Sequence, residues 1–291
     1  SWGWHFDGWM VKVLGYHDAY ASGVIHAVCG GFALGVLVVL GPRIGKFVNG
    51  IPQNIGPRNP WLVTLGLFLI YTGFWGFYAA CNIPIFDAGA DSGAGVTYFT
   101  ATNIYAAPTT LSGVTMNFLM SLAGGLLAGY VVAKGDPFWT YSSGLAGIIC
   151  ASAGNDLYHP LQSMVIAMVG VVIMYKLHYW VERRFKIDDA VGAVAVHGYA
   201  GVVGLLICGF VLWGYPSSTY EGYAAINPLG MLAGAVIMFG VLGFLPGYVI
   251  ALILNSVGQL RIPREVEIAG QDYLSMEAAK KDEETVASAE Q

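Results

Sequence analysis

Seven apolar runs, separated by short polar connections, follow one another along the chain. They lie near residues 18–40, 61–81, 103–133, 138–154, 160–181, 190–213 and 228–257. A helix needs about 20 residues to cross a hydrocarbon core of roughly 30 Å. The fourth run is the shortest and is rich in Gly and Ser. The pattern predicts an all-α, polytopic membrane protein with about seven transmembrane helices.

Composition agrees with this prediction. Of 291 residues, 56% are hydrophobic and only 11% are charged, and the mean hydropathy is +0.62. Soluble domains carry roughly 25% charged residues, so this chain cannot cover itself with a solvated surface. The net charge of −5 says little about partners, because residues 261–291 hold eight acids against four bases. We therefore divide the chain into a membrane domain, 1–260, and an acidic tail, 261–291.

Charge in the connections predicts the orientation. Basic residues such as Arg43, Lys134 and Arg183 follow the first, third and fifth runs. The alternate connections, 82–102, 154–160 and 214–227, contain no Lys or Arg. By the positive-inside rule, the basic connections and the C-terminus are expected in the cytoplasm. The protein is thus expected to be a multi-pass protein of the cell membrane, with residue 1 outside.

One segment is written twice. Residues 18–30 read DAYASGVIHAVCG and residues 189–201 read DAVGAVAVHGYAG. In each copy an aspartate, Asp18 or Asp189, stands eight residues before a histidine, His26 or His197. With the orientation above, the copies run in opposite directions and place both histidines about 12 Å deep, near the bilayer midplane. Inverted repeats with a site at their interface are typical of transporters and channels.

Polar residues in these runs have two interpretations. A lone histidine in an apolar helix is usually a packing residue, but two at matching depth indicate a pathway, because polar groups at the midplane are costly. Aspartate is also a favoured residue for capping a helix. For Asp189 we favour capping alone, whereas for Asp18 capping and a functional role are compatible.

Five motifs in order now point to a family. They are DAYASGVIHAVCGG at 18–31, LGPRIGKF at 40–47, FWGFYAA at 74–80, KIDDAVGAVAVHGYAGVVG at 186–204 and LRIPREVEIAGQD at 260–272. From about residue 8 to 273 the chain resembles the Amt branch of the Amt/Mep/Rh ammonium transporter family. The resemblance implies a transporter or channel for ammonium or ammonia, and for methylammonium, rather than an enzyme. It implies no cofactor and no nucleic acid.

Family members have eleven helices in two inverted repeats of five plus one, so the chain is expected to begin before the fifth helix and to lack the first four. The resemblance also implies a homotrimer in the lipid bilayer, with one pore per protomer. A PII-type cytoplasmic regulator, known for part of the family, is a further expected partner, although the tail lacks the family's later His-Gly-Glu segment.

Site residues carry over by position. By the resemblance, His26 and His197 are twin histidines that hydrogen-bond across a narrow apolar pore, and Asp18 lies near the outer recruitment site and stabilises a cation there indirectly. Phe77 corresponds to one of two phenylalanines that close the pore. Trp4, in preference to Trp2, supplies a cation–π face.

Three departures affect the expected recruitment site. Tyr20 replaces the usual Phe beside Asp18, and Cys81 stands where many members have a Ser that contacts the cation. Phe74-Trp75 reverses the usual order and Tyr78 replaces an Asn. We keep Tyr20 and Cys81 in the site and expect altered affinity or a role in sensing.

Two alternatives belong to other classes. A membrane receptor would bind ammonium without conducting it. A redox protein would use His26 and His197 to ligate a b-type haem between helices. The four cysteines lie singly in apolar segments, without metal-type pairing, and are expected to be packing residues.

Overall fold

The computed structural model describes residues 2–5, 7–81, 111–218, 221–270 and 277. Its helices, in chain order, are α1 (Met10–Leu14), α2 (Ser22–Leu40), α3 (Pro60–Cys81), α4 (Leu111–Val132), α5 (Pro137–Ala151), α6 (Pro160–Phe185), α7 (Val194–Val211), α8 (Pro228–Ser256) and α9 (Arg264–Ala269). Two strands of two residues each, β1 (Phe47–Val48) and β2 (Ile51–Pro52), pair antiparallel in the loop after α2. The all-α class predicted from the sequence is therefore confirmed.

Six helices in the described residues are long and apolar enough to cross a membrane, namely α2, α3, α4, α6, α7 and α8. They match six of the seven predicted runs, with residues 103–110 of the third run outside the described part. The fourth run forms only the 15-residue helix α5. At 1.5 Å per residue this is about 22 Å long, shorter than a full span. Most of α5 is buried, so the neighbouring helices enclose it.

Local signals explain where α5 and α6 begin. Asp136 precedes α5 and its side chain accepts a hydrogen bond from the Trp139 N–H, with Pro137 at the first helical position. His159 precedes α6 in a reciprocal capping arrangement with Gln162, again followed by a proline. Proline suits this position because its missing N–H would have no partner there. The turn 152–159 connects the two helices.

Two groups of helices pack together. Helix α4 packs along α5 and α6, whereas α2 packs against the middle and the end of α8. Helix α7 contacts members of both groups, including α2, α5 and α6. The two copies of the repeated segment lie at the starts of α2 and α7. The fold therefore brings the two repeated segments into contact.

Three of the long helices contain π-helical stretches: Ser22–Ala27 in α2, Val194–Tyr199 in α7 and Val236–Phe244 in α8. A π-turn inserts an extra residue, turns side chains onto a new face, and often marks a functional site. Two of the three stretches contain the repeated histidines, His26 and His197. Nothing in the hydropathy pattern predicts these turns.

Candidate functional site

Asp18 lies in the loop before α2, and its carboxylate binds the start of that helix. Oδ2 accepts hydrogen bonds from the N–H groups of Gly23 and Val24, both at 2.9 Å, and from the Tyr16 hydroxyl at 3.0 Å. Within the described part of the chain, the buried Oδ1 has no hydrogen-bond partner. Burial raises the pKa of Asp18 to about 6, against the opposing effect of the three hydrogen bonds. A cation would satisfy the open oxygen.

The second copy repeats this conformation as well as the sequence. Asp189 Oδ2 accepts a hydrogen bond from the N–H of Ala195, six residues on, at 3.0 Å. Between each aspartate and its helix, one residue has a left-handed backbone: Ala21 with φ 68° and Gly192 with φ 69°. Both aspartates thus accept hydrogen bonds from N–H groups at the start of a helix, as the capping interpretation predicts. At Ala21 the strained backbone of a non-glycine residue accompanies a candidate site.

The two histidines meet. Nδ1 of His26 lies 2.9 Å from Nδ1 of His197, and the nearly parallel rings have centroids 5.1 Å apart. One nitrogen must donate and the other accept, so this contact holds one proton between the rings. Phe74 of α3 packs its ring edge against His26 at 5.2 Å. The proximity expected of the pair is present, and its role in transport stays a prediction.

Glycines allow this approach. A Cβ on Gly30 would lie 2.1 Å from the backbone of Gly198, next to His197. Reciprocally, a Cβ on Gly201 would lie 3.1 Å from the backbone N of Ala27, the residue that matches Gly198, and 2.3 Å from the Ser22 carbonyl oxygen. Gly30 and Gly201 occupy matching places in the two copies, so the contact is made twice with the roles exchanged. Such exchange is what a two-fold relation between the copies requires.

An aromatic group covers the loop of Asp18. The Trp4 ring stacks on Phe77 with centroids 5.9 Å apart, and its indole N–H donates to the Ala19 carbonyl at 3.2 Å. Phe77 in turn contacts Phe74, which reaches His26. Trp4 rather than Trp2 thus stands with Phe77, in line with the preference stated from the sequence. Their functions as cation binder and gate remain predictions.

The other two residues of the expected recruitment site, Tyr20 and Cys81, lie in different environments. Tyr20 is fully buried and stacks on Tyr78 with centroids 4.0 Å apart. The Tyr78 hydroxyl lies 2.6 Å from the Ser152 hydroxyl and accepts from the Asn155 amide at 3.0 Å. Cys81 is the half-buried last residue of α3. The two tyrosines that depart from the family pattern therefore form one unit. They stack on each other, and the Tyr78 hydroxyl contacts the turn after α5.

A buried ion pair beside Asp18 was not foreseen from the sequence. His17 Nε2 lies 3.1 Å from Asp156 Oδ1, with the two side chains 2% and 0% exposed. Burial lowers the pKa of His17, but the Asp156 carboxylate outweighs burial and the net shift is upward. The available signal was the position of His17, directly before the repeated aspartate. Its partner is 139 residues away in the turn 152–159, where no motif marks it.

The equivalent position in the second copy, Asp188, has a different partner. Its carboxylate accepts three hydrogen bonds from Arg43, at 2.7 Å, 2.9 Å and 3.0 Å, the last from the backbone N–H. Nearby, Lys46 and Glu182 form a buried pair at 2.6 Å. A cavity of about 790 Å³ opens beside these groups and reaches Asp189.

The histidine geometry does not suit haem. Two axial nitrogens on opposite sides of one iron lie roughly 4 Å apart, twice a metal–nitrogen bond of about 2 Å. The separation of 2.9 Å leaves no room for an ion between His26 and His197. It is a hydrogen-bond distance between nitrogens.

Sequence comparison identifies relatives over nearly the whole chain. The sequence profile of the Ammonium Transporter Family matches residues 1–281. Ammonium transporter Amt2 of Methanocaldococcus jannaschii is 29% identical over 282 residues, which is 96% of this chain and 60% of that protein. Amt1 of the same organism is 27% identical over 273 residues, which is 93% of this chain and 63% of that protein. The chain spans about 60% of the length of these relatives.

Solved structures share the fold. A structure described as a Sensor Amt Protein superimposes with a TM-score of 0.72 at 25% identity, covering 90% of this chain and 60% of that one. Mep2 of Saccharomyces cerevisiae gives a TM-score of 0.68 at 19% identity, over 91% of this chain and 58% of that one. Together with the six apolar helices, these matches identify an integral membrane protein of a transporter family rather than an enzyme family.

Proposed function

Because the chain belongs to the Ammonium Transporter Family, we propose that its protein moves ammonium or ammonia across a membrane. Ammonium and methylammonium are the substrates that the family membership suggests. The observation that carries the proposal is the contact of His26 and His197 at 2.9 Å, at the junction of two repeated segments that each begin with an aspartate. Transporters built from inverted repeats hold their sites at such junctions.

The outer site, in this proposal, consists of Asp18, Tyr20, Trp4 and Cys81. Asp18 supplies a buried carboxylate with one open oxygen, and the Trp4 ring supplies a cation–π face. Phe77, stacked on Trp4, closes the way from this site to His26. Tyr20 acts by holding the loop through its stacking on Tyr78.

Deprotonation is the step that the histidines serve. Ammonium is strongly hydrated, and an unpaired charge in an apolar pore costs many kcal/mol. Loss of a proton leaves ammonia, which is small and neutral and crosses an apolar passage readily. An imidazole titrates near pH 6.5 when unperturbed, so a histidine is suited to take up and pass on a proton. The His26–His197 contact would hold that proton while ammonia moves on.

Orientation and assembly follow from the charge pattern and the family. We infer that the basic connections and the C-terminus face the cytoplasm of a cell membrane, with residues 1–260 in or at the bilayer and 261–291 as a tail. A homotrimer with one pore per protomer is the assembly that membership of the family suggests. A PII-type protein at the cytoplasmic face is a candidate regulator, and labelled nucleotide-free PII protein retained by immobilised trimer would test it.

Removal of one imidazole tests the mechanism. The protein expressed from its own gene, purified and reconstituted in liposomes, should give an ammonium-induced current on a supported membrane. His197→Ala should abolish this current, because it removes a proton carrier from the pair. It also leaves His26 without a partner, at a cost of about 1–3 kcal/mol for a buried polar group, so the oligomer must first be shown intact on a sizing column. His26→Asp is the matched control, because it keeps a group that can carry a proton.

The same experiment separates the alternatives. An intact His197→Ala oligomer with undiminished current would reduce the pair to a pore lining. Ammonium binding without current in the unchanged protein would favour the receptor, and a Soret band in the purified protein would favour haem.

A further inference from the structure

The buried pair of His17 and Asp156 adjoins the loop that carries Asp18. His17 directly precedes Asp18, and Asp156 belongs to the turn 152–159. Two backbone hydrogen bonds join that turn to the loop: the Ala19 N–H donates to the Ala153 carbonyl at 3.0 Å, and the next residue's N–H donates to the Ser152 carbonyl at 3.1 Å. The turn 152–159 therefore contacts the loop that carries Asp18 through these backbone bonds and through the pair of His17 and Asp156.

Two carboxylates lie buried here. Asp18 is 3% exposed and Asp156 is also 3% exposed. Each has one buried oxygen, Oδ1 of Asp18 and Oδ2 of Asp156, with no hydrogen-bond partner among the described residues. A buried carboxylate without a counter-charge is strongly unfavourable. The charge of this pocket therefore depends on which cations balance the two acids.

His17 is the base that the structure supplies. Its Nε2 contacts Asp156, and its backbone N–H donates to the Met231 sulfur of α8 at 3.2 Å. The groups that face the pair from the surrounding elements are neutral or acidic: Tyr16, Asp18, Tyr158, Cys208 of α7 and the backbone of Ser217. Among the described neighbours just named, none is a Lys or Arg, so compensation of Asp156 falls to His17.

We propose that His17 is a charge-compensating residue of the outer site, which keeps its pair with Asp156 neutral overall and leaves Asp18 as the single negative charge for one monovalent cation. This inference rests on the proposed function and names a determinant of its specificity. One proton shared by His17 and Asp156 makes the pair neutral. The open Oδ1 of Asp18 then matches one ammonium or alkylammonium ion, whereas two uncompensated carboxylates would favour a divalent cation.

Substitution of His17 by Gln tests the compensation through stability. His17→Gln can still donate a hydrogen bond to Asp156 but brings no charge. The buried carboxylate of Asp156 then has no counter-charge, and burial of an uncompensated carboxylate is strongly unfavourable. The folded state of this variant is therefore expected to lose stability relative to the unfolded chain as pH rises, because the cost appears only when the carboxylate is ionised. The thermal unfolding midpoint of His17→Gln should drop between about pH 5 and pH 8 relative to the unchanged protein.

The double variant His17→Gln/Asp156→Asn is the matched control. It keeps an amide pair of similar size with no charge at any pH, so its unfolding midpoint should not show the additional drop. A double variant that is no more stable than His17→Gln at the upper end of the range would overturn the proposal. So would a His17→Gln protein whose midpoint follows that of the unchanged protein. Both readouts stand even if the protein conducts no ammonium.

Ammonium-induced current provides a second test of the same proposal. At a fixed ammonium concentration and at pH values above about 6, where Asp18 is charged, ammonium-induced current in His17→Gln should be about tenfold lower than in the double variant. Absence of current in the unchanged protein would contradict the proposed function but not the compensation, which the unfolding series decides alone. Equal currents in the two variants across the range would contradict the charge-compensating role.

Discussion

In the first copy of the repeated segment, which we propose to lie at the outer end, the residue before the aspartate is His17, and in the second copy, at the proposed inner end, it is Asp188. The outer residue is a base that meets an acid, Asp156, and the inner residue is an acid that meets a base, Arg43. The outer pair is almost completely buried, whereas the Arg43 side chain is 39% exposed. The two ends thus share a backbone conformation but reverse the order of charge.

The difference lies in what each pair can do. A histidine changes its charge within the physiological range of pH, whereas an arginine stays charged. The inner pair adjoins a cavity of about 790 Å³, and the Arg43 side chain has access to water. The outer pair is sealed behind Asp18. The two copies therefore share the geometry that positions His26 and His197, whereas the charges around them differ.

Because the two copies share this geometry, substitution of the matching glycines should destabilise the protein to the same extent. Gly30→Val should disrupt the crossing of α2 and α7, because even a Cβ at this place would lie 2.1 Å from Gly198. Gly201→Val should do equal damage through Ser22. Overpacking of this kind costs about 1–3 kcal/mol or more, and loss of the intact oligomer on a sizing column, or a lower unfolding midpoint, would reveal it.

Gly73→Val is the matched control for both variants. It lies in α3, where an added Cβ has no atom of the described structure within 4 Å apart from the chain neighbours and the adjacent backbone of its own helix. Equal destabilisation by Gly73→Val would show that valine in these helices, rather than the crossing, causes the loss. Damage from only one of Gly30 and Gly201 would contradict the equivalence of the two ends.

Because the charges around the two aspartates differ, removal of each carboxylate charge should affect the ammonium-induced current differently. Asp18→Asn keeps an acceptor for the helix-start N–H groups but removes the carboxylate charge, so we expect a folded protein that has lost most of its ammonium-induced current. Asp189→Asn also keeps an acceptor for the Ala195 N–H, and we expect its current to stay within a few-fold of normal. Current measured in the same liposome preparation would compare them.

A normal current in Asp18→Asn would mean that only the capping by Asp18 matters. A complete loss in Asp189→Asn with an intact fold would give the inner carboxylate a role in transport that we do not assign to it. Asp18→Ala removes both cap and charge, and should therefore lose stability as well as current.

The sequence predicted the elements that depend on local pattern. Runs of apolar residues located six long helices, and the spacing from Asp18 to His26 and from Asp189 to His197 located the junction. These features need only periodicity, length and repetition. The positions of Lys and Arg predict that the two copies run in opposite directions across the membrane.

Other features depend on contacts that no local pattern records. The pairing of His17 with Asp156 joins residues 139 positions apart, and either side chain alone resembles an ordinary loop residue. The stacking of Tyr20 on Tyr78 was hidden for the same reason, since each appeared as a separate departure. The π-turns at the histidines depend on how α2 and α7 cross.

Outer pH should change recruitment through Asp18. The pKa of this carboxyl is about 6 because of burial, so it is charged above that pH and neutral below it. At a fixed ammonium concentration, current should therefore decline as the outer pH falls through about 6, without a change in the assembled oligomer. Currents recorded with only the outer solution varied would test this. A constant current down to about pH 5 would contradict recruitment by the charged form.

The smallest effect is expected at the inner pair. Arg43→Gln removes the side-chain bonds to Asp188 and should lower stability by about 1 kcal/mol, a modest value because the Arg43 side chain is partly exposed to water. Burial acts to raise the pKa of Asp188, but the bonds from Arg43 outweigh it and the net shift is downward. A depressed pKa stabilises the fold at pH values above the unfolded pKa of about 3.9, and this contribution disappears as pH falls through the lower, folded value.

The difference between Arg43→Gln and the unchanged protein should therefore be constant at neutral pH and shrink toward strongly acid pH. Arg43→Lys keeps the charge but not both side-chain hydrogen bonds to Asp188. Its stability should therefore lie between that of Arg43→Gln and that of the unchanged protein. Unfolding midpoints measured from neutral to acid pH in detergent would show this. A difference that grows with acidity would mean that Arg43 acts through something other than the Asp188 carboxylate. The contrast between a titrating outer pair and a permanently charged inner pair would then lose its physical basis.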